Sequence, residues 1–108
     1  MIARLWHGVT PADKADAYAD YLNQTGVPDS RATAGNRGVY VLRRIEGEQV
    51  HFLFISLWES RAAIENFAGK DIDIAKYYPE DRDYLLELEP NVTHYEVVAG
   101  GHDDGNQN

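Results

Sequence analysis

Three side chains could hold a small aromatic compound and move its proton: Trp58, Tyr78 and His94. An indole offers a flat wall and one N–H donor, a phenol offers an O–H, and an imidazole titrates near neutral pH. Between them they could orient a phenol, hydrogen-bond its developing phenolate and take its proton. Phe54, Phe67 and Tyr77 could add aromatic wall, while Asn36 and Arg44 could contact polar or anionic groups of a ligand. Each also has a plainer reading. Trp58 can be core, His94 a satisfied interior or interface histidine, Arg44 a surface ion-pair partner and Asn36 a turn residue.

The stretch FAGKDIDIAKYYPED, residues 67–81, raises a question of its own. A helix that stops at Gly69 and restarts would set Tyr77 and Tyr78 about 100° apart, so one would face inward and the other lie at a rim. Such a segmented cover leaves room for a cavity wall. Glu80, Asp81 and Asp83 read as first-turn charges favoured by the helix dipole.

Other chemistries find little support. The four histidines, at 7, 51, 94 and 102, show no metal-ligand spacing, and the chain has no cysteine, so neither metal nor cofactor is expected. No GxGxxG or phosphate-loop spacing occurs, and no Ser/His/Asp set is readable. A net charge of −8 argues against nucleic acid or an anionic membrane as partner. No run approaches the ~20 apolar residues of a membrane helix, and the expected setting is the cytoplasm.

The elements that must position these residues follow from pattern. Residues 2–7 read as a strand, then Thr10 as a cap and Pro11 as the first residue of a helix ending at Gly26–Pro28. DSRATAGNRG reads as loop. VYVLRRI and VHFLFISLWE form a hairpin about Glu46-Gly47-Glu48. Ser60 caps a helix that carries Ala63, Ile64 and Phe67 up to Gly69. DIDIAKYY reads as a short helical piece, PEDRDYLLEL as a further helix, and NVTHYEVV, after Pro90, as the last strand. The order βαββαβ predicts an α+β, ferredoxin-like domain over 1–99 with a four-stranded antiparallel sheet, and a disordered polar tail over 100–108.

The third strand adds an inference. His51, Leu53, Ile55 and Leu57 alternate with Phe52, Phe54, Ser56 and Trp58, so both faces are largely apolar. Two helices cover one face. The other calls for a second copy of the chain, hence a homodimer.

This order, the hairpin GVYVLRR…HFLFISLWES and the helix SRAAIENFAG resemble the antibiotic biosynthesis monooxygenase domains of the dimeric α+β barrel superfamily. The resemblance covers roughly residues 1–99. It implies a barrel shared by two subunits, with a pocket between sheet and helices in each. For function it implies a monooxygenase acting on a small phenolic or quinone-like compound without metal or flavin. A non-catalytic, dimeric small-ligand-binding or stress-related domain is the alternative, and a heme-degrading oxygenase stands behind it. The heme-degrading branch carries a histidine about ten residues beyond the tryptophan that resembles Trp58; here Phe67, Ala68 and Gly69 stand at that offset.

Overall fold

β1 (Ile2–Pro11) is one of the two inner strands of an antiparallel sheet, and its alternation decides the layers. Arg4, Trp6, Gly8 and Thr10 are buried on one face; Ala3, Leu5, His7 and Val9 stay partly open on the other. β2 (Asn36–Glu46) and β3 (Gln49–Trp58) form the expected hairpin. With β4 (Thr93–Glu96) they make a four-stranded antiparallel sheet in the order β2-β3-β1-β4, the ferredoxin-like arrangement. The computed structural model describes residues 1–101, so most of the expected tail, from 102 onward, lies outside the described residues.

Helices cover only the face that carries Trp6, Phe52, Phe54 and Trp58. One core gathers Trp6, Tyr18, Tyr21, Leu22, Phe52 and Phe54 beneath α1 (Ala15–Gln24). A second gathers Trp58, Ala63, Ile64, Phe67 and Ile72 beneath α3 (Arg61–Ala68). Ser60 caps α3 as its sequence suggests, its Oγ accepting from the Ala63 N–H at 3.2 Å, and Gly69 ends it with φ of 91°. Gly8 has a steric role: a Cβ there would lie 2.3 Å from the Trp6 ring, which folds down over the strand.

The opposite face is left bare. Tyr40 and Leu42 on β2 and Tyr95 on β4 are roughly half exposed there, beside Leu5, Leu53 and Ile55. Among the described residues no helix is long and apolar enough to cross a membrane.

Several local expectations are corrected. Thr10 is not a cap; β1 runs on to Pro11 opposite Gln49, and Thr10 is buried in the strand. Gly26 and Pro28 do not stop the helical region but open a second helix, α2 (Gly26–Ala32). Proline is tolerated there because first-turn N–H groups have no intrahelical acceptor. DIDIAKYY is not helical: it forms turns and an isolated bridge between Ile74 and Asn91. PEDRDYLLEL contributes only one turn, α4 (Asp81–Tyr84).

Candidate active site

A cavity of about 40 Å³ lies between the covered face and this irregular segment. β1 supplies Arg4 and Trp6, β3 Phe54, α1 Tyr18 and Leu22, α2 Gly26, and α3 Phe67. The segment after α3 contributes Lys76, Tyr77, Tyr78 and Asp81. The walls are aromatic and the few polar groups converge, as in small-molecule sites. That volume holds water but no aromatic ring, so a ring enters only if a wall residue moves.

The two tyrosines do not divide into one inside and one outside. Both line the cavity, because the backbone between Gly69 and Asp81 is extended or turned rather than helical. Tyr77 accepts from the Trp6 indole at 3.1 Å and donates to the Glu89 carbonyl at 2.6 Å. Tyr78 donates to the Asp29 carboxylate on α2. Burial, then Asp29, pushes the Tyr78 hydroxyl well above the usual phenol range. Lys76 donates to the same Asp29 at 3.0 Å and to the Phe67 carbonyl at 3.1 Å, with its ammonium 4.3 Å from the centre of the Phe67 ring. Asp29 thus latches the segment to α2, and its own carboxyl is held below the ordinary range, chiefly by the Tyr78 hydrogen bond.

Asp81 is not a solvated first-turn charge. It is 3% exposed, takes the Tyr18 hydroxyl at 3.0 Å and accepts the Tyr78 backbone N–H at 2.6 Å. Burial raises its carboxyl above the normal range, which suits a group that takes up a proton.

Arg4 is the least conventional member. It is 5% exposed, it donates to the Ile74 carbonyl at 3.0 Å, and its Nε has no partner. Among the described residues no carboxylate pairs with it directly. Its guanidinium sits 5.6 Å from the centre of the Phe67 ring, and burial lowers its proton affinity.

The residues singled out from sequence divide between the cavity and its surroundings. Phe54, Phe67, Tyr77 and Tyr78 meet at the cavity. Trp58 lies behind it, fully buried, donating to Ser56 Oγ at 2.8 Å and stacking near Phe67 with centroids 5.5 Å apart. His94 is Arg4's neighbour across the β1–β4 pair. Its Nδ1 meets Asp73 at 3.2 Å, its Nε2 is buried without a partner, and burial, then Arg4, lowers its proton affinity. Asn36 braces the bulge at the start of β2 by accepting the Gly38 N–H at 2.9 Å. Arg44 pairs with Glu46 at 3.2 Å on the bare face. Arg4, Trp6, Tyr18, Lys76 and Asp81 escaped the sequence reading. Arg4 carried a signal, since it shares a strand face with Trp6 two positions on.

Heme bound through a histidine does not fit these residues. Among the described residues no histidine lines the cavity, and Phe67 occupies the position in question with its ring against Trp58.

Comparison with known proteins agrees with the fold. The family described as antibiotic biosynthesis monooxygenase matches residues 3–72. No curated protein sequence matches the chain. A structure from Nitrosomonas europaea, provisionally assigned as an antibiotic biosynthesis monooxygenase, superposes with a TM-score of 0.67 at 13% identity, covering 92% of this chain and 100% of that one. One from Bacillus cereus with the same provisional assignment gives 0.65 at 13%, covering 95% and 98%. The heme-degrader MhuD from Mycobacterium tuberculosis, with two hemes in its active site, gives 0.63 at 17%, covering 94% and 100%.

Proposed function

Because the chain belongs to the antibiotic biosynthesis monooxygenase family, we propose that its cavity oxidises a small phenolic or quinol-like compound with O2. The observation that carries this reading is Arg4. A buried guanidinium without a carboxylate partner, on an aromatic-walled cavity, is a preorganised positive charge for a phenolate.

In the proposed reaction Asp81 takes the phenolic proton, and Arg4 stabilises the anion. The electron-rich ring passes one electron to O2, and the resulting radicals combine to form a carbon–oxygen bond. The peroxide anion recovers the proton from Asp81. Loss of the ring C–H proton with cleavage of the O–O bond then releases water and leaves a new carbonyl. One oxygen atom stays in the product and the other leaves as water, all four electrons coming from the substrate. Tyr78 positions the ring, Trp58 backs the Phe67 wall, and His94 lies outside the cavity as Arg4's neighbour across the β1–β4 pair. Aromatic walls shield the radical pair from water.

The assembly we propose is a homodimer joined through the bare face of the sheet, where Tyr40, Leu42 and Tyr95 otherwise remain in water. The small cavity volume favours one second reading, a non-catalytic domain that opens only to sequester an apolar ligand. Oxygen consumption with a panel of phenols and quinols separates the two. Uptake lost in Arg4→Gln and Asp81→Asn supports oxidation; saturable binding with no uptake by the wild type overturns it.

A further inference from the structure

Away from the cavity, on the bare face, four side chains form one continuous array. β1 and β3 are registered so that Val9 lies opposite His51 and His7 opposite Leu53, which makes the two histidines diagonal neighbours. Their rings stack with centroids 5.2 Å apart and planes 29° from parallel. Glu89 Oε2 lies 2.6 Å from His7 Nδ1, His7 Nε2 lies 3.0 Å from His51 Nδ1, and His51 Nε2 lies 2.9 Å from Glu46 Oε1.

The chemistry of the ends fixes the middle. An ionised carboxylate only accepts, so each outer ring nitrogen carries a proton. In neutral imidazoles the two inner nitrogens then bear lone pairs aimed at one another. That contact is repulsive unless an electrophile sits between them. A proton satisfies it. So does a metal ion, and a carboxylate on the far nitrogen is the usual support for an imidazole that ligates one, since it fixes the tautomer and makes the ring a stronger donor.

We propose that His7 Nε2 and His51 Nδ1 form a binding site for one borderline divalent cation of the zinc, copper or nickel type, with Glu89 and Glu46 orienting the two rings. Two metal–nitrogen bonds of about 2.05 Å at a tetrahedral angle place the nitrogens about 3.3 Å apart, so the observed gap of 3.0 Å widens and both rings turn to bring their lone pairs onto the ion. Imidazole donors select such ions over magnesium or calcium, which require oxygen ligands. The surrounding charge favours a cation: among the described residues Glu46 and Glu89 outweigh Arg44, which pairs with Glu46, and the whole chain carries −8. In the single chain the His7 and His51 side chains are 39% and 22% exposed, and in the proposed dimer the remaining coordination positions border the second copy. Among the described residues no group of three or more histidine, cysteine or acidic side chains could hold a metal, so each chain supplies two ligands.

The test is calorimetric titration of Zn2+ and Cu2+ into the untagged full-length chain, with the visible absorption of the Cu2+ form as a second readout. The expected result is one ion per chain, with Mg2+ giving no signal. That binding is lost in His7→Gln and in His51→Gln, weakened 10- to 100-fold in Glu89→Gln, and retained in His102→Gln. Affinity in the His7→Gln/His51→Gln double variant equal to the wild type, or loss in His102→Gln alone, overturns the proposal. Absence of binding by the wild type also overturns it and leaves a shared proton as the occupant. None of these readouts depends on oxygen uptake, so the reading of the cavity stands or falls separately.

Discussion

Tyr18 on α1 donates its hydroxyl to Asp81 at 3.0 Å, joining residues 63 apart in sequence across the wall of the cavity. The same carboxylate takes the Tyr78 N–H, so one buried acid ties the first helix to the segment that covers the site. Asn at 81 keeps one acceptor oxygen for the Tyr78 N–H but turns the other into a donor toward the Tyr18 hydroxyl, which must then reverse its role. Asp81→Asn is therefore expected to cost about 1–3 kcal/mol in denaturant unfolding as well as oxygen uptake. The pH dependence has a definite sign. The folded-state pKa is raised, so the contribution of Asp81 is fully present below its unfolded value near 4 and declines as pH rises through the folded value. The variant lacks that decline.

Asp29 behaves in the opposite sense. Its carboxyl is held low in the folded protein, so its contribution is present above about pH 4 and lost as pH falls through the folded value. Tyr78→Phe removes the first-named cause and is expected to flatten this acid limb while costing about 1 kcal/mol. Because the Lys76–Asp29 pair is partly exposed, high salt weakens the latch only modestly. Thermal melts between pH 2.5 and 5 measure the effect; an unchanged acid limb in Tyr78→Phe shows that the latch does not depend on the phenol.

Arg4 is expected to separate stability from function. A buried charge without a carboxylate partner gains little from its site, so Arg4→Met leaves stability unchanged or raises it by about 1 kcal/mol. Losing one preorganised charge at a developing anion costs on the order of 10²–10³ in turnover. A large loss of stability in Arg4→Met places the arginine in the architecture instead.

The bare sheet face gives a test of assembly. Tyr40 and Leu42 are 49% and 48% exposed in the single chain, so charges there leave the fold intact. Light scattering on Tyr40→Glu/Leu42→Glu is expected to give half the wild-type mass. Equal masses mean that this face does not join two copies.

What the sequence made legible and what it hid have physical causes. The β3 alternation, the Ser60 cap and the hairpin at Gly47 are local patterns, and local patterns survive into structure. Gly26 and Pro28 were read as a stop because they usually are one, yet the first turn of a helix makes no demand that proline cannot meet. The irregular path from Gly69 to Asp81 is held by distant partners, Asn91, Asp29 and Trp6, none of which lies in a neighbouring window. Tyr77 and Tyr78 both line the cavity, whereas helical spacing would set them on different faces, because the backbone there is not helical. Asp81 looked like a dipole charge, and only Tyr18 closing over it reveals a buried acid. The His7–His51 pair spans 44 positions and exists only through the register of two strands.

His94 supplies the last prediction. Asp73 accepts at Nδ1, so in the neutral ring that nitrogen carries the proton and the buried Nε2 presents a lone pair beside Arg4. Burial and the Arg4 charge hold the folded pKa below the ordinary histidine value near 6.5. A depressed pKa means that the unfolded chain binds the proton more tightly. Stability from this group is complete above about pH 6.5 and lost as pH falls through the folded value. His94→Asn removes that loss, so its stability relative to wild type improves as pH drops from 7 to 5. Because Arg4 is one cause of the shift, Arg4→Met moves the histidine back toward its ordinary value, which the imidazole proton resonances report directly. A His94 titration identical in wild type and Arg4→Met means that the two groups do not interact.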